Sequence, residues 1–249
     1  MSATAASRWR ATGAQVAMEL HLTARRGENV LVTAVIPAVV LVFFASMNVV
    51  PAVAGDPLDF LVPGALALAI VATGLVNLGI ATAYERQYGV LKRLGGSPLT
   101  RTGLMTAKIV TVMVVEVLQI ALLGTIAVAL GWRIGPDASL ALFLAAWLLG
   151  TLAFAGLGLL LAGALRAEAT LAVANAAFIA CLILGGIVVP VDHLPAPLAA
   201  AASLLPAAAL SDAFRSALGS GDGAGTPFAI LAAWAIGAVV ATARTFRWE

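Results

Sequence analysis

The chain has 249 residues, 62% of them hydrophobic and 10% charged, with a mean hydropathy of +1.04 and a formal net charge of +2. Soluble domains carry roughly 25% charge, so that class is excluded; apolar runs of about 20 residues point to membrane helices and not to the ~10-residue alternating segments of a membrane β-barrel. The pI of about 9.1 does not imply nucleic acid, because the basic residues cluster beside apolar runs, as they do in cytoplasmic loops.

Residues 1–28 carry Arg8, Arg10, Arg25 and Arg26 ahead of the first apolar run. On a helical wheel Trp9, Gly13, Val16 and Leu20 align, while Met18 and Leu22 fall nearly opposite. The expectation is a modestly amphipathic interfacial helix on the cytoplasmic surface, with a partly disordered tail as the other reading. No early apolar core or cleavage site marks a signal peptide. Residues 29–249 then read as one six-helix transmembrane domain, in an all-α membrane fold.

The expected spans are 29–50, 60–83, 102–130, 138–161, 170–189 and 227–243. Pro37 sits inside the first and is expected to kink it. The third is longer than a ~30 Å core requires, so its first turns lie at the interface or it tilts. Gly150, Gly156, Gly158 and Gly163 on the fourth suit close helix packing. Residues 190–226 are rich in Pro, Gly and Asp, and their apolar piece 198–210 is too short to span and is interrupted by Pro206. That pattern predicts an outward re-entrant or interfacial segment. The tail from Arg244 to Glu249 supplies a basic and aromatic anchor.

Six spans put both termini on one side. Placing them in the cytoplasm leaves only Arg133 and Arg215 outside, twelve basic residues against two, which satisfies the positive-inside rule. No internal repeat of the kind common in secondary transporters is visible. Cys181 is the single cysteine, and His21 and His193 lie in distant segments, so no metal site is expected.

Between the second and third spans lies Tyr84-Glu85-Arg86-Gln87-Tyr88-Gly89-Val90-Leu91-Lys92-Arg93-Leu94-Gly95-Gly96-Ser97-Pro98-Leu99. Wound as one helix over 84–96, it places Tyr84, Tyr88 and Leu91 on one face, with Glu85, Arg86, Lys92 and Arg93 elsewhere. Gly95-Gly96 is expected to end it through a left-handed glycine, and Ser97-Pro98 to cap and start the next helix. An ordinary basic loop is the other reading. The pattern resembles the cytoplasmic coupling helix of ABC-2 type transporter membrane subunits, above all the drug-exporter, daunorubicin-resistance-type permeases. Glu85-Arg86, Gly89, Leu91-Lys92-Arg93-Leu94 and Ser97-Pro98-Leu99 carry the resemblance, and Phe60 with Pro63-Gly64 resembles the opening of that family's second span.

The resemblance implies a multi-pass permease in the cell membrane, with a cytoplasmic coupling helix and short outward-side helices before the last span. Its partners would be a separate ABC ATPase subunit and a second membrane subunit, a copy of itself. It also implies a small lipophilic substrate, a drug, an antibiotic or a lipid. No P-loop occurs here, so ATP and Mg would sit on the partner chain, and this chain is not an enzyme. The ATPase-coupling residues would be Tyr84, Glu85, Arg86, Tyr88, Gly89, Leu91, Lys92, Arg93 and Leu94, with the charged ones meeting the ATPase and Gly89 allowing a close backbone approach. In this family spans two and five line a cavity at the dimer interface, which makes Thr73, Asn77, Asn175 and Phe178 its candidate lining.

Three intramembrane polar residues remain. Glu116, near the middle of span three, is either a titrating group in a pathway or a neutral acid tying helices together, with Gln119 as a nearby partner. Lys108 reads as an anchor that snorkels toward the cytoplasm. A proton-coupled secondary transporter using Glu116, or a structural or regulatory membrane protein, are the alternatives to an ATP-driven exporter.

Overall fold

The computed structural model describes residues 5–25, 27–47, 56–221 and 223–245. Residues 51–55, Arg26 and the expected anchor at 246–249 lie outside the described residues. Those described contain helices and turns and no strand. Five stretches are long and apolar enough to cross a membrane: Pro57–Gln87, α6 (Arg101–Ala129), α7 (Leu140–Ala164), α8 (Ala167–Leu184) and α11 (Gly225–Thr245). Ahead of them come α1 (Ala5–Arg25) and α2 (Gly27–Met47), the latter a 21-residue apolar helix with Pro37 inside. At 1.5 Å per residue α2 measures about 31 Å, the thickness of a hydrocarbon core.

Span two is the central column, with 89% of its apolar stretch buried inside the chain. It starts on Asp56, whose side chain accepts from the Leu58 amide while Pro57 takes the first position, where an N–H would be unpaired. The column is α3 (Pro57–Ile70), a π-helical stretch Val71–Asn77, and α4 (Leu78–Gln87). Its glycines let α7 come close. A Cβ on Gly158 would sit 2.4 Å from the Gly74 carbonyl oxygen, and one on Gly79 would sit 3.1 Å from Gly158. Gly150 and Gly156 on α7 meet Leu210 and Ala238 in the same way, so α7 touches a different neighbour at each of these three glycines.

After α8 the chain forms a short 3₁₀ turn at Val191–His193, then α9 (Ala196–Ala202) and α10 (Pro206–Leu218), which meet at a bend of 75°. Pro206 opens α10, and Gly219, at φ +83°, closes it. The amides of Gly135 and Ser139 bond the carbonyls of Leu218 and Ala217, so α10 ends beside the turn between α6 and α7. The segment therefore leaves and returns at one end of the bundle without crossing it. α10 is amphipathic and buries Leu210, Ala213, Phe214 and Ala217 against α3 and α7.

Candidate functional site

The stretch after span two is not one helix over 84–96. α4 carries the span on to Gln87, the chain breaks at Tyr88–Gly89, and a six-residue α5 (Val90–Gly95) follows. Gly89 has φ +70°, while Gly96 has φ −82°, so the left-handed glycine lies in the middle of the stretch and not at its end. The next helix starts at Arg101, capped by the Thr100 hydroxyl on the Gly103 amide, and not at Ser97-Pro98. Ser97 instead donates to the Leu94 carbonyl and accepts from the Leu99 amide. A Cβ on Gly89 would meet nothing within 4 Å, so the backbone conformation, and no close neighbour, requires glycine there.

The break changes which side chains share a face. Tyr84 and Tyr88 stack with ring centroids 6.0 Å apart, but Tyr88 is 70% exposed whereas Leu91 is fully buried among Leu99, Leu104 and Leu159. The charged residues also divide. Lys92 and Arg93 are exposed on α5, with Leu94 half-buried beneath them. Glu85 and Arg86 turn inward and are taken by the chain itself. Arg86 donates from Nη1 to the Gly163 carbonyl and from Nη2 to the Leu165 carbonyl, both at 2.5 Å, which caps the C-terminus of α7. Gln87 donates to Glu168 at 2.9 Å on the first turn of α8.

Glu85 receives Lys108 at 2.7 Å, and Glu19 of α1 receives the same ammonium at 3.1 Å. Lys108 is 2% exposed, so it does not snorkel to water. Two acids from separate helices reach it, and the pairs offset the desolvation that would otherwise drive it outward. Gln15 donates to Glu19 at 2.9 Å and holds it in place. The face that α1 turns inward therefore includes Glu19, while Trp9, which the wheel aligns with Val16 and Leu20, is 75% exposed.

Beside this triad lies a cavity with about 70 Å³ of space open to water, lined by Glu19, Thr23, Thr73, Asn77, Lys108 and Thr111 among others. Thr73 and Asn77 both belong to the π-helical stretch, so the wide turn faces the cavity with its polar groups. Thr73 also donates to Gln119 at 2.9 Å. Asn175 and Phe178 are not brought here. Asn175 is exposed on α8 and bonds back to the Leu171 carbonyl, and Phe178 packs against the main core. The four expected lining residues are thus split: Thr73 and Asn77 line an internal cavity, Asn175 lies on the open face of α8 and Phe178 is turned to the core, because span two is buried within the chain while only 17% of α8 is.

Glu116 is 1% exposed and accepts from Trp147 Nε1 at 2.7 Å and from Thr151 Oγ1 at 2.6 Å. Thr151 also reaches the Trp147 carbonyl at 2.9 Å. A threonine has one hydroxyl hydrogen, so only one of those acceptors receives it. Gln119 is engaged by Thr73 and not by Glu116, which ties α6 to α7 through a tryptophan that the sequence did not single out.

Sequence reasoning also missed Arg215. Its guanidinium lies 4.0 Å over the Phe60 ring, bonds Asp212 at 2.6 Å, and donates to the Gly186 carbonyl. A lone arginine in a polar segment gives no sign of such a setting. Phe60 and Gly64, by contrast, were legible from their motif. A Cβ on Gly64 would sit 2.5 Å from the Ile187 carbonyl oxygen, so the motif seats the far end of α8.

Comparison with known proteins gives two findings. The family model described as ABC-2 type transporter matches residues 12–218. The probable multidrug ABC transporter permease YbhS of Escherichia coli K12 is 28% identical over 152 residues, and the same protein of the O157:H7 strain matches equally. That alignment covers 59% of this chain and 40% of the relative's length, so the chain matches well under half of the curated relatives.

Proposed function

The chain belongs to the ABC-2 type transporter family, and from this premise we propose that it is the membrane permease subunit of an ATP-driven exporter. In this reading a separate ATPase subunit binds ATP and Mg and docks on the basic end of the bundle. Two copies of the permease enclose the path of a lipophilic substrate, a drug, an antibiotic or a lipid. Both termini face the cytoplasm. The similarity to a probable multidrug ABC transporter permease of E. coli supports this substrate class.

One observation carries the reading. Between spans two and three, α5 offers Lys92 and Arg93 to the outside, while the residues just before it grip three other helices. Glu85 reaches α6 and, through Lys108, α1; Arg86 reaches α7. A push on α5 therefore has rigid attachments through which to act. A loop that only joined two spans would need no such attachments.

Glu116 supports this reading over a proton-coupled carrier. It is sealed between Trp147 and Thr151 and does not line the cavity around Thr73 and Asn77. The experiment is purification of the chain with candidate ABC ATPase subunits of its host, followed by measurement of ATP hydrolysis with and without lipophilic drugs. Drug-stimulated hydrolysis in the joint complex is the expected result. Failure to form a complex, with transport persisting in the absence of any ATPase, would sink the proposal.

A further inference from the structure

α8 packs one face against span two and is tied again at both ends. Of the crossing helices it is the least embedded, with 17% of its apolar stretch buried, yet the segments just before and just after it each receive an arginine on their backbone carbonyls. At the first end, Arg86 spans the Gly163 carbonyl in the last turn of α7 and the Leu165 carbonyl in the short turn that leads into α8, and Gln87 bonds Glu168 on its first turn. At the other end, the helix stops at Gly185, whose amide still bonds the Cys181 carbonyl, and Gly186 turns the chain at φ +60°. The Gly186 carbonyl then receives Arg215, which is itself held by Asp212 and by the Phe60 ring. The remaining walls of that socket leave no room: a Cβ on Gly185 would sit 2.8 Å from Ala207 Cβ, and one on Gly64 would sit 2.5 Å from the Ile187 oxygen.

We propose that Arg86 and Arg215 are positioning residues that make α8 a rigid rod between the basic end of the bundle and the α9–α10 hairpin, with Arg215 as the latch that keeps its far end seated. The proposal rests on the exporter reading only for the source of the motion. An 18-residue helix is about 27 Å long and moves as a body, so ties at its two ends act together with its packing on span two to set its position. A guanidinium suits both ends because its fork fixes orientation as well as distance, which an ammonium does not. When α5 moves, Arg86 carries the near end of α8 with it. The far end follows only once Arg215 gives up Gly186, and the hairpin then no longer closes over it.

Cys181, the only cysteine of the chain, sits one turn before Gly185 and is half-buried against the core, so it reports whether the far end is seated. The test uses the full chain with its ATPase in vesicles and a membrane-impermeant maleimide applied from the hairpin side. Arg215→Ala is expected to label about tenfold faster than the unmodified chain without nucleotide, the size of a typical coupling between two sites. Arg86→Ala is expected to label slowly without nucleotide and to lack the increase that ATP, Mg and vanadate produce in the unmodified chain. Equal labelling of Arg215→Ala and the unmodified chain, or a full nucleotide response in Arg86→Ala, overturns the proposal. Should Arg215→Ala not assemble, Arg215→Lys replaces it, since it keeps the charge and loses the fork; unchanged labelling of that variant is equally decisive. If the unmodified chain shows no nucleotide response at all, the exporter reading fails, and the latch is judged on the nucleotide-free comparison alone.

Discussion

Glu85 and Lys108 meet at 2.7 Å across the gap between span two and α6. With Glu19 at 3.1 Å, the ammonium joins α1, α4 and α6 at one point. Removing one partner of a buried pair is far more costly than the pair is worth, because the remaining charge keeps its desolvation penalty.

Lys108→Ala would leave two carboxylates facing each other beside the cavity. We expect it to destabilise the purified protein by about 3–5 kcal/mol, and Glu19→Gln to cost less, since Glu85 still neutralises the lysine. Thermal unfolding in detergent ranks the variants. A Glu19→Gln variant less stable than Lys108→Ala would refute the arrangement.

Glu116 accepts two hydrogen bonds and needs no charge to do so. Glu116→Gln keeps an acceptor for Trp147 and Thr151, so folding and transport should stay near normal. Glu116→Leu strands the Trp147 indole N–H in an apolar setting, at a cost of about 1–3 kcal/mol, while Thr151 keeps the Trp147 carbonyl. Unfolding temperature and drug-stimulated ATP hydrolysis measure the two effects. Loss of transport in a well-folded Glu116→Gln would instead show that the residue titrates.

Two groups of glycines should behave in opposite ways. Gly158→Ala places a methyl 2.4 Å from the Gly74 oxygen, so α7 must move off span two. The expected cost is about 1–3 kcal/mol, as for other overpacked cores. Gly124 and Gly237 meet nothing within 4 Å inside helices α6 and α11, and Ala there should be neutral or stabilising by up to about 1 kcal/mol. Equal effects at Gly158 and Gly124, read as melting shifts, would mean that span two and α7 are not in close contact.

The exposed part of the coupling stretch is separable from its buried part. Lys92→Glu with Arg93→Glu should leave stability unchanged and reduce co-purification of the ATPase, with a steep salt dependence in the unmodified complex. Gly89→Asn should be tolerated, since asparagine visits the left-handed region, whereas Gly89→Val should not. Glu85→Lys should fail differently, by unfolding, because it sets a second ammonium against Lys108. Normal co-purification of the Lys92 and Arg93 double variant would remove α5 from the interface.

The long apolar helices were legible because composition and run length decide them, and Pro206 marked the break in the hairpin because proline starts a helix well and continues one badly. Gly89 was conspicuous as a glycine, but its reason was not, since a left-handed turn and a close contact leave the same letter. Lys108 could not be read at all from its neighbours. Whether a lysine near a span end seeks water or stays inside depends on Glu19, which lies in a different helix and shows only once α1 is docked. Asn77 and Asn175 looked alike as amides on spans two and five, yet one sits on a buried column and the other on an open helix. Rotational position about a helix axis in a membrane is set by neighbours, and both faces of such helices are apolar.

The π-helical stretch Val71–Asn77 also sets the phase of everything that follows it in span two. A hydrogen bond from i to i+5 takes in one residue more than an α-helical turn, and each residue turns the helix by about 100°. Glu85 and Arg86 point toward Lys108 and toward the carbonyls of Gly163 and Leu165 because that extra residue has been absorbed upstream. Were the segment to tighten into ordinary α-helix with every residue kept, α4 would rotate by about 100°. Every side chain named in the coupling stretch would then be intact and facing the wrong helix. The timing of the column is thus held by a local excess of one residue, and the span behaves as a keyed shaft whose key is that wide turn.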